Sequence, residues 1–244
     1  MTARLLLIED DDAIARFVEL ALEELPGFDA KAPAISLSVA RRLSEARAAL
    51  QAGGWHLVVS DLMLPDGSAE ALLGEGWARA PGAPPWIVFS AGMGEARRED
   101  LAAHGVARTL GKPVPLAELL ATVAELLTPG AAAPPRPARP ASPQADPVAQ
   151  HFGGDRVLYE TFRAGCIARF SDDIDTGNAA VTQGDAAALR RVAHGLKAVL
   201  ELIGQPALAA QASALEQAVA EWMPGHALPE GWTALAQGLA GLEP

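Results

Sequence analysis

Residues Leu57–Gly67 read LVVSDLMLPDG. Leu57, Val58 and Val59 run on without alternating, as strands covered on both faces of a parallel sheet do, and Pro65 with Gly67 closes the segment. Asp61 therefore stands at the carboxyl end of a strand. In open α/β sheets that edge is where ligands bind, because the loops there are free of packing duties. An acid in this place also serves as a helix or turn cap, so its meaning depends on what the rest of the chain brings to the same edge.

Arg4 to Ile8 is a second buried-strand pattern, and it runs into four consecutive acids, Glu9, Asp10, Asp11 and Asp12. A helix follows, with Ile14, Phe17, Val18, Ala21, Leu22 and Leu25 at helical spacing and Pro26-Gly27 as its expected stop. One or two of the acids suit the N-cap and first turn. The others would repel one another unless a cation neutralised them, and hard oxygen ligands of this kind suit Mg²⁺.

The βα rhythm continues along the chain. Ile35, Leu37 and Val39 alternate as a strand, Arg41 to Ala52 reads as a helix, and Ser68 to Ala80 as a weaker one. Trp86 to Phe89 is a strand ending at Ser90, Glu95 to His104 a helix, and Val106 to Leu110 a strand followed by Gly111-Lys112-Pro113. Leu116 to Leu127 is the last helix of this half. Five strands alternating with five helices imply an α/β fold with a parallel, doubly wound sheet.

The acid cluster, Asp61, Ser90 and Lys112 each fall at or just after the carboxyl end of a different strand, so the topology gathers them on one edge. In these residues Met1 to Thr128 resembles a response-regulator receiver domain, flavodoxin-like in fold. The resemblance implies that Glu9 and Asp10 hold Mg²⁺ together with Asp61 and the backbone carbonyl of Met63. It implies further that Asp61 is the phosphoacceptor, Ser90 the switch hydroxyl and Lys112 the phosphate-binding lysine, with a cis peptide at Lys112-Pro113. The residue types suit the chemistry. Phosphoryl transfer needs an in-line oxygen nucleophile, which Asp61 supplies, and cations to offset charge on the equatorial oxygens, which Mg²⁺ and Lys112 supply. Where the family usually carries an aromatic switch residue, three positions before the lysine, this chain has Thr109. Asp11 and Asp12 are read as caps and solvated charge.

The chain has 244 residues, enough for two small domains, and its composition favours two. Thr128 to Pro147, TPGAAAPPRPARPASPQADP, is dominated by Pro and Ala and carries no large apolar residue. It is read as a semi-rigid linker over 129–146, reaching on the order of 50 Å if extended as polyproline II. The formal net charge of -11 disfavours nucleic acid and anionic membrane surfaces as partners. The N-terminal apolar run is too short for a signal peptide and no continuous span is long enough to cross a bilayer, so the expected location is the cytoplasm. The one cysteine, Cys166, is read as a packed thiol, and the five scattered histidines do not have the spacing of a zinc site.

Beyond the linker, strand patterns give way to alanine-rich helical ones, which points to an all-α four-helix bundle over 147–244. The expected helices run from Asp155 to Gln183, Asp185 to Ile203, Pro206 to Trp222 and Pro229 to Ala240, with a short helix near Val148. Asp185 is the expected N-cap of the second and Gly204 its stop. In that helix Leu189, Val192, Leu196, Val199 and Ile203 form a core stripe, which places His194 nearly opposite, facing water, with Arg190 and Lys197 one turn away on either side. Imidazole can be an uncharged nucleophile near neutral pH, and a phosphoryl group on His194 would find Lys197 within reach. The acids of Ser171-Asp172-Asp173-Ile174-Asp175 are read as solvated surface.

The string Ala193-His194-Gly195-Leu196-Lys197, closing with Ile203-Gly204, resembles the signature of histidine-containing phosphotransfer domains. That resemblance makes His194 the phosphorylated residue and Lys197 its phosphate-stabilising neighbour. Where the family often has Gly one residue after the lysine, this chain has Ala198.

Together these readings describe a two-component phosphorelay protein without an ATP-binding kinase domain or a DNA-binding output. The implied partners are a sensor histidine kinase and other receiver or phosphotransfer proteins, and the linker permits contact between the two halves. Two other classes stay open. In a receiver-controlled adaptor, phosphorylation of Asp61 alters what the helical bundle binds and His194 is idle. Aspartyl-nucleophile phosphohydrolases also place an Asp at a strand end, but they usually carry a second Asp two residues on and use the first strand, where this chain has Met63 and the third.

Overall fold

A computed structural model describes residues 2–90, 94–128, 146–223 and 228–243. Residues 129–145, most of the expected linker, lie outside them. The chain divides into two compact units, Met1–Ser142 and Pro143–Pro244.

In the first unit, β1 (Thr2–Ile8) leads into α1 (Asp12–Phe28), β2 (Ala34–Ala40), α2 (Leu43–Ala52) and β3 (Leu57–Asp61). A small hairpin of β4 (Met63–Leu64) and β5 (Gly67–Ser68) precedes α3 (Glu70–Gly74). Then come β6 (Trp86–Ser90), α4 (Glu95–Ala103), β7 (Arg108–Gly111) and α5 (Leu116–Leu127). The main sheet is parallel, ordered β2-β1-β3-β6-β7, so the chain winds outward in both directions from β1 and β3, the doubly wound arrangement that the alternation of apolar runs implies. All five residues of β3 and of β6 are buried, as their unbroken apolar runs require. Leu6, Ile8, Val58 and Val88 share one core with α2 (Leu43, Ala46, Leu50), α3 (Leu72, Leu73) and α4 (Leu101), while α1 and α5 pack together.

Four expectations about this unit need correction. Helix α1 does not stop at Pro26-Gly27. Proline in the last turn removes only its own N–H, and the Asp29 N–H closes the helix by donating to the Leu25 carbonyl at 2.9 Å. The helix expected over Ser68 to Ala80 is confined to Glu70–Gly74, because Ser68 belongs to the hairpin and Gly76, at φ +88°, turns the chain out of the helix. The strand expected from Val106 starts two residues later at Arg108; Val106 is buried as a lead-in. Helix α2 begins at Leu43, two residues after the expected start, and its cap comes from elsewhere in the chain.

The second unit is helical: α6 (Pro147–His151), α7 (Arg156–Gln183), α8 (Ala186–Leu202), α9 (Pro206–Ala220) and α10 (Trp232–Ala240). Asp155 and Asp185 cap α7 and α8, accepting from Leu158 N–H and Ala188 N–H at 2.9 Å each. Gly204, at φ +75°, turns the chain from α8 into α9, and these two helices pack along each other as a hairpin. Helix α10 docks on α7 through Trp232, whose ring occupies the space a Cβ at Gly177 would need and whose Nε1–H donates to Asn178 Oδ1 at 2.9 Å. Cys166 is buried, as expected. Of the acidic run on α7, Ser171, Asp172 and Asp175 are exposed, while Asp173 and Ile174 are half-buried.

Candidate functional site

The carboxyl edge of the sheet in the first unit carries a cluster of ionisable side chains. β1 delivers Glu9 and Asp10, β3 delivers Asp61, and Lys112 follows directly after β7. Lys112 Nζ lies 3.0 Å from Glu9 Oε2 and 2.9 Å from Asp61 Oδ2, donating to both. The three side chains are 6%, 1% and 5% exposed. The second Asp61 oxygen, Oδ1, accepts the Leu62 N–H at 2.6 Å, so both ends of the carboxylate are oriented. Carboxylate oxygens of Glu9, Asp10 and Asp61 all lie within 4.8 Å of one another.

Such crowding has an electrostatic consequence. Burial, reinforced by the charges of Asp61 and Asp11, raises Glu9 from an ordinary 4.5 to about 8, although Lys112 pulls the other way. Asp10 is also raised, by burial first and then by Asp61. Burial alone would lower Lys112, but Glu9 and Asp61 outweigh it and hold the ammonium above its usual range. One buried cation among three acids leaves the cluster short of positive charge. The carboxylate oxygens of Glu9, Asp10 and Asp61 could together hold a metal ion that favours oxygen ligands.

The other expected members of this site share its edge. Ser90 is the last residue of β6, 9% exposed, and its carbonyl accepts the Lys112 N–H at 2.7 Å. Met63 opens the hairpin that follows Asp61 and is half-buried. The Lys112-Pro113 peptide is cis. Thr109 is half-buried on β7, paired in register with Val88. Asp11 is the N-cap of α1, accepting from Ala13 N–H at 2.8 Å and Ile14 N–H at 3.0 Å, and Asp12 pairs with Arg41.

In the helical unit His194 departs from expectation. Its side chain is 15% exposed and does not face water: α9 lies over it, and His194 Nδ1 sits 2.7 Å from Glu216 Oε1. The single core stripe misleads because α8 is covered on more than one side, with Ala193, Ala198, Leu200 and Leu202 buried beside Leu189, Leu196 and Val199. Lys197 is 26% exposed and reaches Glu216 Oε2 at 3.5 Å, so one carboxylate engages both α8 residues. Arg190 is exposed. Burial pushes Glu216 upward, but the His194 hydrogen bond, its charge and that of Lys197 prevail and hold the carboxyl below its usual range.

A carboxylate can only accept, so the proton of this contact belongs to Nδ1, which leaves Nε2 as the nitrogen that carries a lone pair whenever the ring is uncharged. Glu216 was not among the residues singled out by sequence. The signal was present in the hairpin itself: two helices joined by a tight turn at Gly204-Gln205 bring positions roughly equidistant from the turn together, and His194 and Glu216 are such a pair.

No family model matches the chain, and no curated protein matches it. Among solved structures, the chain is similar to the receiver domain of the Francisella response regulator 1452, at 26% identity over 51% of this chain and 96% of that one, with a TM-score of 0.44. It is similar also to the non-phosphorylated HemR receiver domain from Leptospira biflexa, at 27% identity over 53% of this chain and 99% of that one, TM-score 0.43. The chemotaxis response regulator CheY4 of Vibrio cholerae shares 19% identity over 52% of this chain and 100% of its own length, TM-score 0.44.

Proposed function

We propose that this chain is a two-domain phosphorelay protein, a receiver (1–128) phosphorylated on Asp61 and a phosphotransfer bundle (147–244) phosphorylated on His194, joined by the linker at 129–146. The observation that carries the reading is the Lys112 ammonium held between Glu9 and Asp61 beside a third carboxylate. A structural acid at a strand end needs no such company. Burying several carboxylates around one lysine is costly unless a cation and an anionic group complete the site.

In the receiver, Glu9, Asp10 and Asp61, with the Met63 carbonyl, would hold Mg²⁺, which supplies positive charge against the equatorial phosphoryl oxygens. An Asp61 oxygen attacks the phosphorus of a phosphohistidine donor; the P–N bond breaks, its electron pair returns to the donor imidazole, and an acyl phosphate forms. Lys112 then exchanges part of its contact with Asp61 for a phosphoryl oxygen, and Ser90 supplies a hydroxyl on the same edge.

In the bundle, His194 Nε2 attacks the phosphorus of an acyl phosphate and the carboxylate departs with the P–O electron pair. The positive charge that develops on the ring is met by Glu216 at Nδ1, and Lys197 is placed to turn toward the new phosphoryl group. Sensor kinases and other receiver or phosphotransfer proteins are the partners this chemistry requires. Among the described residues no helix is long and apolar enough to cross a membrane.

³¹P NMR of the full chain with Mg²⁺ and a small acyl phosphate tests the receiver half. An acyl-phosphate resonance on the protein, absent from Asp61→Asn, is expected. A wild-type chain that takes no phosphoryl group from that donor or from a phosphorylated histidine kinase would overturn the reading.

A further inference from the structure

Helix α2 has no cap of its own. Arg42 holds the N-cap position and makes no side-chain bond there. Instead the Leu43 and Ser44 N–H groups donate to Asp66, at 2.7 Å to Oδ1 and 3.2 Å to Oδ2, across more than twenty residues of sequence. Asp66 is the second turn residue of the β4–β5 hairpin, which pairs Met63 with Ser68 and Leu64 with Gly67. The fit on this side is close: Gly67 adopts φ +141°, and a Cβ there would fall 2.9 Å from Leu43 Cδ1.

The same hairpin is tied to Asp61. Leu62, its first flanking residue, accepts the Ala69 N–H on its carbonyl at 2.9 Å and donates its own N–H to Asp61 Oδ1 at 2.6 Å. A chain of bonds therefore runs from the N-terminus of α2 through Asp66, the hairpin and Leu62 to one oxygen of Asp61, leaving the other oxygen to Lys112. A turn fastened only at its base would leave Leu62 and Met63 free to rock. Fastened at its tip as well, it holds them still.

We propose that Asp66 is a positioning residue for the phosphoacceptor site: by pinning the hairpin to α2 it fixes the Leu62 N–H that orients Asp61 and the Met63 backbone beside it. The inference rests on the receiver reading above. Outer-layer partners of this sort commonly set metal affinity without touching the metal.

The test uses the full chain with Mg²⁺ alone as the probe, comparing wild type with Asp66→Ala, Asp66→Asn and Ala48→Gly. The last weakens α2 at an exposed interior position without touching the cap. Mg²⁺ affinity is read by calorimetry and loop order by amide exchange over residues 62–68. Asp66→Ala is expected to weaken Mg²⁺ binding by roughly tenfold, the lower end of what outer-layer partners contribute, and to speed exchange across the hairpin. Asp66→Asn, which keeps an acceptor, should recover most of both, and Ala48→Gly should bind Mg²⁺ as wild type does. Unchanged affinity in Asp66→Ala, or an equal loss in Ala48→Gly, would reduce Asp66 to a cap and overturn the proposal while leaving the receiver reading standing. Should Asp66→Ala fail to fold, Asp66→Asn decides: normal fold with tenfold weaker binding and no recovery overturns it. A wild-type chain that binds no Mg²⁺ removes the reading and the inference together.

Discussion

His194 Nδ1 and Glu216 Oε1 stand 2.7 Å apart, one on α8 and the other on α9, with both side chains largely shielded from water. On the proposed function this contact holds a proton at Nδ1 and leaves Nε2 as the nitrogen that would attack. Glu216→Ala is therefore expected to slow phosphoryl transfer to His194 by about 10²-fold, the usual consequence of losing orientation at a reacting group. Glu216→Gln, whose amide oxygen still accepts from Nδ1–H, should fall between. Single-turnover transfer from a phosphorylated receiver measures both; equal rates in all three proteins would make the contact ornamental.

The depressed Glu216 carboxyl also predicts an acid limit. A carboxyl held below its ordinary value of 4.5 contributes stability that is fully present above that pH and is lost as pH falls through the folded value. Thermal unfolding of the helical unit, followed in the full chain, should lose stability on acidification below 4.5, and Glu216→Gln should lose less.

Glu9 has the opposite sign. Raised to about 8 chiefly by burial, it keeps its proton in the fold where the unfolded chain has released it, so its contribution is complete below pH 4.5 and is lost as pH rises toward 8. On the proposed function, Mg²⁺ would take the place of that proton. The rise in Tm on adding Mg²⁺ should therefore grow between pH 4.5 and 8, and Glu9→Gln should flatten it. A Tm increment independent of pH in the wild type would count against Glu9 as a ligand.

Packing of α10 gives a prediction free of any phosphoryl chemistry. A Cβ at Gly177 would lie 1.9 Å from Trp232 Cζ2, so Gly177→Ala must displace the indole. Overpacking of this kind costs typically 1–3 kcal/mol, and we expect a loss of about 2 kcal/mol with a shift in tryptophan emission. Unfolding in urea with fluorescence detection checks both.

Much of the first unit was legible because buried parallel strands announce themselves. The unbroken runs at Leu57–Val59 and Trp86–Phe89 could only be covered on both faces, and the polar residues that end them fall on one sheet edge as a matter of topology. Caps at Asp11 and Asp185 were equally plain, since their chemistry is local. What sequence did not show was tertiary. Asp66 caps a helix that starts more than twenty residues earlier, and no local pattern records that bond. Pro26 reads as a stop but is tolerated in a last turn. His194 reads as exposed because helical spacing reveals one buried stripe, whereas a helix packed against neighbours on two sides has no single wet face.

On the proposed function this chain carries phosphoryl groups on two chemically different residues, Asp61 and His194. The most direct measurement is the stability of radiolabel on the wild-type, Asp61→Asn and His194→Gln proteins after reaction with a partner kinase or phosphorylated receiver in the presence of Mg²⁺. An acyl phosphate is lost in base, whereas a phosphohistidine survives base and is lost in acid. Base-labile label that vanishes with Asp61→Asn is expected, together with acid-labile, base-stable label that vanishes with His194→Gln. Base-labile label alone, with every donor and in every protein that retains Asp61, would contradict that function and leave a receiver whose helical bundle serves only to bind.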